Sequence, residues 1–237
     1  MNLREKADRY IGKPDNTKEV VFRSGVTEDI IKVILYADQF IAEDLKKFTK
    51  FFDSGNQYMD FKKIWEFVRY KIRYVMDPNG DEKVQLPSHL WHKTKAGDCK
   101  SKSLFTAALL KNMGVPYAYR FTAYKGGGVN GIGKLQDEVS RLFSVPKTPI
   151  DVTHVYVIAY PGTENEVIID PVYEIFDSEH PFDYAIDFNP GTQTFSRIGN
   201  VLPASNGSSF FTNILKIAAG VAGIYFINKY FENANTD

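Results

Sequence analysis

The stretch GDCKSKSLFTAALLKN, residues 97–112, contains Cys99, the single cysteine of a 237-residue chain. Its polar first residues run into an apolar-periodic segment that begins at Leu104. This pattern predicts a helix with Cys99 in its first turn. The positive end of a helix dipole favours the thiolate, which is the nucleophilic form of cysteine. Lys100 and Lys102 add positive charge close by, so the stretch predicts a reactive thiol.

A histidine and an aspartate lie farther along the chain, each at the end of a strand-like run. His154 opens the run HVYVI, and Asp170 closes the run VIID. A thiol nucleophile requires a base and a group that orients the base, and Cys99, His154 and Asp170 supply these types in that order. Each has a simpler explanation when taken alone: a small buried hydrophobe, a histidine within a sheet and a turn residue before Pro171. Together they predict a catalytic triad.

These segments resemble the core of the transglutaminase-like superfamily, of bacterial or phage type. The resemblance is carried by GDC at 97–99, THVYV at 153–157 and IIDP at 168–171. Residues 72–87 add a tyrosine, an Asp-Pro turn and a Gln-x-Pro sequence of the kind common before the Gly-Asp-Cys of such proteins. The resemblance covers roughly Phe61 to Val172.

The resemblance implies a papain-like α+β fold with a Cys-His-Asp triad. We therefore expect a transglutaminase-like core in which N-terminal helices pack on a small antiparallel sheet. One feature departs from the family pattern, because many members carry acidic residues directly after the cysteine, where this chain has Lys100 and Ser101. We expect the change to raise the local positive potential.

Composition limits the classes of function. The chain has 29 basic and 29 acidic residues, so its formal net charge is zero. A general nucleic-acid binder needs a basic bias, and none is present. One cysteine cannot form an intrachain disulfide or a cysteine-rich zinc site. No metal or cofactor is predicted. The glycine-rich loop GGGVNGIG at 126–133 is not a dinucleotide site, because no helix follows its glycines, and it is interpreted as a mobile flap.

The remaining patterns predict the order of elements. A helix is expected from Thr27 to about Phe52, and a second helix is expected to begin with Asp60 as its cap. Three strands are predicted, and the segments 83–98 and 172–200 are expected to be a loop and an irregular region. The predicted strands are 117–124, 153–160 and 166–170.

The two termini differ in character. Residues 1–25 are polar and predict an extended arm with at most a short helix, without a signal peptide. The main domain is expected at 26–202, followed by a linker at 203–209 and a hydrophobic helix with a polar tail at 210–237. The apolar window 210–231 could insert in a membrane or dock on a protein partner. The location is therefore left between cytoplasmic, virion-associated and membrane-tethered.

The function that these features favour is a cysteine-dependent hydrolase or acyltransferase. It would act on amide bonds of a peptide or protein through a thioester acyl-enzyme, with no nucleic-acid partner. The backbone N–H of Cys99 would stabilise the oxyanion, and Gln85 is the candidate for a second donor or for substrate binding. The alternative is a structural or assembly protein, such as one of a phage particle, with little or no turnover. The substrate and the oligomeric state are left open.

Overall fold

The computed structural model describes residues 1–14, 19–23, 27–77, 81–124, 153–192 and 194–198. The helices are α1 (Leu3–Tyr10), α2 (Thr27–Asp38), α3 (Ile41–Thr49), α4 (Gln57–Lys71), the short α5 (Pro87–His89) and α6 (Cys99–Asn112). A 3-10 turn at Lys50–Phe52 follows α3, and a π-helical turn at Leu90–Thr94 follows α5. The strands are β1 (Glu19–Arg23), β2 (Arg73–Tyr74), β3 (Asp81–Gln85), β4 (Ala96–Gly97), β5 (Tyr117–Tyr124), β6 (His154–Ala159), β7 (Val167–Ile169), β8 (Phe182–Asn189) and β9 (Thr194–Ile198).

The main sheet has five strands in the order β7-β6-β5-β8-β9, and all neighbours are antiparallel. Two further pairs lie outside it: β1 with β3, antiparallel, and β2 with β4, parallel. The α+β class and the antiparallel sheet are therefore confirmed. The predicted strands 153–160 and 166–170 correspond to β6 and β7, which form an antiparallel pair joined by the turn at 160–166.

Helix α6 lies at the centre of the molecule. Every residue from Lys100 to Leu110 is buried, because α2, α3 and α4 pack around the helix together with β3, β5 and β6. A helix buried on all sides needs no polar face. The predicted start at Cys99 is confirmed, and the chain leaves the helix through Gly114, which has φ of +69°.

The N-terminal helices contribute aromatic side chains to the core. The Phe67 ring stacks on Trp91 and on Phe105 of α6, and it also contacts Phe48 and Phe52. These contacts join α3, α4 and the turn after α5 to the central helix. The helices before β2 thus form one core with α6, and they position the loop that leads to Cys99.

Two predicted helix boundaries are wrong. The segment from Thr27 to Phe52 forms two helices, because Gln39 and Phe40 donate to carbonyls three residues back and end α2, after which Ile41 turns into the core. Helix α4 begins before Asp60, with Asn56 as its cap. The Asp60 carboxylate instead accepts the backbone N–H of Ser54, at 3.0 Å from Oδ1.

Two segments expected to be irregular contain strands. Residues 83–98 include the end of β3 and all of β4, and residues 172–200 include β8 and β9. Both predictions failed because these strands pair with distant partners, β3 with β1 and β8 with β5. A signal was present for β8, because FDYAIDFN alternates large apolar residues with smaller or acidic ones.

The first residues of the chain pack against the body of the protein. Ala7 of α1 is fully buried, and the backbone N–H of Gly12 donates to the carbonyl of Asp44 at 2.8 Å. Strand β1 pairs with β3 along its length. The segment expected to be an extended arm thus contributes a helix and a strand.

Three predictions concern residues outside the described ranges: the flap at 126–133, the linker at 203–209 and the hydrophobic segment at 210–237. Among the residues that the structure describes, no helix combines the length and the apolar character needed to cross a membrane.

Candidate active site

Asp98 fixes Cys99 as the first residue of α6. Asp98 Oδ1 accepts the backbone N–H groups of Lys100 at 3.1 Å and Ser101 at 3.3 Å, and its carbonyl accepts that of Lys102 at 3.1 Å. The N–H groups of the first three helical residues have no carbonyl partner within the helix. Among the described residues, Asp98 Oδ1 takes those of Lys100 and Ser101, and the N–H of Cys99 stays available.

Gly97 brings the chain close to α6 just before the thiol. A Cβ atom at this position would lie 2.9 Å from both Leu90 Cδ1 and Ser101 Cβ. Real Cβ atoms do not approach other carbon atoms that closely, so only glycine fits without a shift of the surrounding chain. The glycine of the quoted GDC motif therefore has a packing role.

The polar residues after Cys99 are buried, although the sequence suggests an exposed setting. Ser101 Oγ accepts the backbone N–H of Gln85 at 3.2 Å, and Ser103 Oγ donates to the Val155 carbonyl at 2.9 Å. Buried hydroxyl groups need such partners. These two serines tie the first turns of α6 to β3 on one side and to β6 on the other.

Lys100 does not add the free positive charge that its position in the sequence suggests. Its Nζ lies 3.1 Å from Asp77 Oδ2 and also pairs with Asp98 Oδ2. Burial raises the pKa of Asp98 to about 6, against the opposing effect of the Lys100 charge. The expected rise in positive potential is therefore offset by two carboxyl groups.

His154 and Asp170 are brought together by adjacent strands. His154 is the first residue of β6, and Asp170 directly follows β7, its antiparallel neighbour. The distance from His154 Nε2 to Asp170 Oδ2 is 2.7 Å, and both side chains are buried. Because Nε2 is used by Asp170, Nδ1 is the ring nitrogen left for another partner.

That partner is the thiol of Cys99, which is partly buried. Burial lowers the pKa of His154, but hydrogen bonds from Asp170 and Cys99 and the charges of both groups outweigh it and raise the pKa to about 10. The environment therefore favours an imidazolium ion between a sulfur and a carboxylate. All three predicted triad residues meet in one place.

Side chains of helix α4 hold the backbone at and after Asp170 by hydrogen bonds. Trp65 Nε1 donates to the Asp170 carbonyl at 2.7 Å, and Arg69 Nη1 donates to the carbonyls of Val172 and Tyr173 at 2.8 and 2.9 Å. Asp170 Oδ1 also accepts the Val172 N–H at 2.9 Å. The sequence analysis did not identify this role of Trp65 and Arg69. Their four-residue spacing places both on one helix face, but only the fold shows which carbonyls they meet.

Lys102 is a second buried cation near the triad. It lies three residues after Cys99, and its side chain is almost fully buried. Burial lowers the pKa of Lys102 to about 8; the charge of Arg69 acts in the same direction, and that of Asp170 opposes it. Lys102 thus places a buried positive charge near the Asp170 carboxylate.

Tyr74 of β2 lies near the segment that leads to Cys99. It pairs with Gly97 in the β2–β4 ladder and is 43% exposed. Partial burial, followed by the negative charges of Cys99 and Asp98, raises the pKa of Tyr74 to about 12. The phenol is therefore protonated at neutral pH and can donate a hydrogen bond.

Gln85 is buried, and its side chain serves the loop before Cys99. Its Nε2 donates to the Ala96 carbonyl at 3.2 Å, and its Oε1 accepts the Thr94 hydroxyl at 2.8 Å. An amide nitrogen carries two hydrogens, so one N–H of Nε2 is not used by these contacts. These bonds hold the segment that ends at Gly97.

Histidine, cysteine and acidic side chains are the usual protein ligands of a metal ion. Within the described ranges, no group of three or more of these residues has an arrangement that could hold a metal ion. His92, one of the two histidines near the π-helical turn, lies with Nε2 at 3.2 Å from the Ile11 carbonyl.

Comparison with known proteins gives only distant likenesses. No protein-family model and no curated protein matches the chain. It is similar to a Cytophaga hutchinsonii protein described as a "putative cysteine protease", with 14% identity and a TM-score of 0.38 over 79% of this chain and 65% of that chain. It is also similar to a structure of Rad4-Rad23 bound to a 6-4 photoproduct UV lesion, with 11% identity and a TM-score of 0.33 over 99% of this chain and 50% of that chain. The chain spans less than two thirds of either, and likeness of this degree carries no argument about activity.

Proposed function

We propose that this protein is a cysteine-dependent hydrolase or acyltransferase that acts on amide bonds of peptides or proteins. Cys99 is the nucleophile, His154 the base and Asp170 the group that orients the base. The observation that carries the proposal is the 2.7 Å bond between His154 Nε2 and Asp170 Oδ2, with Cys99 hydrogen-bonded to the same imidazole. A thiol, a base and an orienting group in this relation are the requirements of nucleophilic catalysis.

The chemistry follows from these contacts. His154 takes the proton of the Cys99 thiol, and the thiolate attacks the carbonyl carbon of the substrate. When the tetrahedral intermediate collapses, the amine leaves with the proton from the imidazolium, and a thioester forms on Cys99. Water or a second amine then attacks the thioester and restores the thiol. The raised pKa of His154 supports the first step, because it favours the charged imidazole.

The oxyanion would be stabilised at the start of α6. The N–H of Cys99 is available for this purpose, because Asp98 takes the next three N–H groups. A second donor is still needed. Gln85 is our candidate, through the N–H of Nε2 that does not bind Ala96.

The proposed papain-like and transglutaminase-like character rests on the arrangement of the elements. A helix that begins at the thiol packs against an antiparallel sheet, and two neighbouring strands of that sheet carry the histidine and the aspartate. The order Cys, His, Asp along the chain agrees with it. Fold kinship alone does not establish turnover, so the thiol itself must be tested.

The test is alkylation of the thiol by iodoacetamide between pH 5 and 9, followed by mass spectrometry. The measurement reports on one site, because Cys99 is the only cysteine. In the wild-type protein, we expect rapid alkylation to persist at pH 6. In His154→Gln, alkylation at pH 6 should be slower by about tenfold or more, because the base that takes the thiol proton is removed. The alkylation rate of Asp170→Asn at pH 6 should lie between the rates of the wild type and His154→Gln.

His92→Gln is the matched control, because it removes an imidazole that contacts Ile11 rather than the thiol. It should behave as the wild type. Identical pH profiles for the wild type and His154→Gln would contradict the proposal. They would favour the alternative, a structural or assembly protein that retains the domain with little or no turnover.

A further inference from the structure

Three consecutive apolar residues are exposed next to the candidate nucleophile. Tyr74, Val75 and Met76 have exposed fractions of 43, 41 and 74%. Single exposed apolar side chains are ordinary, but contiguous ones at the edge of a site are typical of binding surfaces. We call these three residues the apolar strip.

The β2–β4 pairing places the apolar strip near the segment that carries the thiol. Tyr74 lies opposite Gly97, and the N–H of Val75 donates to the Gly97 carbonyl at 3.2 Å. Gly97 is two residues before Cys99. The electrostatic influence of Cys99 on the Tyr74 phenol agrees with this closeness. Tyr74 therefore lies near the thiol, and Val75 and Met76 follow it directly in the chain.

The same strand has an open edge. The N–H groups of Arg73 and Val75 both point to β4, where they donate to the carbonyls of Lys95 and Gly97. Because successive residues of a strand point their backbone groups to opposite sides, the N–H and C=O of Tyr74 point away from β4. Among the residues that the structure describes, β2 has no second neighbouring strand. An open edge of this kind accepts an extended peptide as an added strand.

We propose that an extended, apolar segment of a peptide or protein substrate binds along β2. Its backbone pairs with the N–H and C=O of Tyr74, and its apolar side chains pack on Tyr74 and Met76. Tyr74 is the last residue of β2 and Met76 follows it by two positions, the spacing at which side chains share a face where the chain stays extended. The inference deepens the proposed function, on which it rests, because it names the class of substrate that would present a carbonyl to Cys99.

The features of the site favour this occupant over a charged one. The side chains of the apolar strip carry no ionised group at neutral pH, so an acidic or basic segment would lose hydration there without a partner. The free backbone groups of Tyr74 require a partner with its own N–H and C=O groups. An extended peptide supplies both, together with the amide bond on which the proposed chemistry acts.

The test measures binding to the full-length Cys99→Ala protein, so that no reaction interferes. The probe is fluorescein-labelled Ser-Leu-Val-Phe-Gly-Ser-amide, followed by fluorescence anisotropy. We expect its affinity to exceed that of the analogue with aspartate in place of leucine and phenylalanine by about tenfold or more, since one buried apolar side chain contributes about that factor. A peptide methylated on the nitrogen of valine or of phenylalanine should bind several-fold more weakly, because one backbone hydrogen bond is lost.

Two variants test the apolar strip itself, Met76→Asp and Tyr74→Ser. Each should weaken binding of the apolar peptide, by about tenfold for the introduced charge. The control is Met59→Asp, also at an exposed methionine, which lies near the start of α4 and about 18 Å along that helix from its last residue. It should bind the peptide as the Cys99→Ala protein does. The methylated peptides require no substitution in the apolar strip, so this part of the test does not depend on the folding of Met76→Asp or Tyr74→Ser.

The outcomes separate this inference from the proposed function. Equal affinity for the apolar and acidic peptides, or no effect of either strip variant, would overturn the inference while leaving the alkylation result intact. Loss of self-association in the strip variants, with no peptide binding at all, would assign the strip to a second copy of this chain and also overturn it. If the protein binds the peptide but its thiol is not activated, the proposed binding surface would stand and the proposed enzymatic activity would be rejected.

Discussion

At the scale of single residues, the site depends on a balance between burial and charge at His154. Burial alone would keep the imidazole neutral, whereas the hydrogen bonds and charges of Asp170 and Cys99 hold it in the charged form. Its pKa is raised from the ordinary 6.5 to about 10. A group whose pKa is raised by folding contributes stability that is fully present below the unfolded value and is lost as the pH rises through the folded value. For His154, that window runs from about 6.5 to about 10.

We predict that His154 stays protonated in the folded protein at pH 8. The measurement is an NMR titration of the protein labelled at histidine, repeated in denaturant, where His154 should titrate near 6.5. In Asp170→Asn, the transition should fall by more than about one pH unit, because the hydrogen-bonded carboxylate charge is removed. A transition of the wild-type residue at or below pH 6.5 would contradict the balance described here.

At the scale of elements, the start of α6 is held by the segments that precede it. Asp98 caps the helix, Ser101 and Gln85 tie it to β3, and Gly97 allows the π-helical turn to approach. The thiol therefore owes its position to packing that involves β3, β4 and the turn at Leu90–Thr94. A substitution that alters this packing should therefore move the thiol, even when Cys99, His154 and Asp170 are themselves unchanged.

We predict that Gly97→Ala destabilises the protein by about 1–3 kcal/mol and slows alkylation of Cys99 at pH 6. The added Cβ would overlap Leu90 and Ser101, both at 2.9 Å, so the start of α6 must shift. The matched control is Gly12→Ala, because its Cβ would lie 3.4 Å from the nearest atoms, an ordinary contact. Urea unfolding and the alkylation rate are the measurements. Equal behaviour of the two variants would show that Gly97 has no packing role.

At the scale of the whole molecule, three separate parts of the chain build the site. The central helix contributes Cys99, the hairpin β6–β7 brings His154 and Asp170 together, and α4 fixes Asp170 through Trp65. The core that joins them lies within residues 3–198 of the described chain. The C-terminal segment at 210–237 is the one part that the sequence assigns to a membrane or a partner.

We predict that deletion of residues 210–237 leaves the site folded and alters only membrane or partner association. The far-ultraviolet spectrum, the urea midpoint and the alkylation rate of Cys99 should match those of the full chain. Vesicle flotation and gel filtration would report the change in association. Unfolding of the truncated protein would instead assign this segment to the core, and both docking hypotheses would fail.

The sequence by itself determined the features that depend on neighbours in the chain. The start of α6 around Cys99 follows from the polar residues that run into an apolar period, and the strands β5, β6 and β7 follow from alternation and turn residues. The three triad candidates could be named because their residue types and order are specific as a set. Each of these signals lies within a few residues of the feature that it predicts.

The tertiary structure alone decided the features that depend on distant partners. Strands β3 and β8 were missed because their hydrogen bonds go to β1 and β5. The charge of Lys100 is offset by Asp77, and the Asp170 carbonyl is held by Trp65. Within the described residues, β2 pairs with β4 alone, and this pairing depends on a segment more than twenty residues away in the chain. Local sequence pattern specifies which helix or strand a segment can form. Burial, strand pairing and charge compensation depend on which segments meet, and those meetings are set only when the whole chain packs.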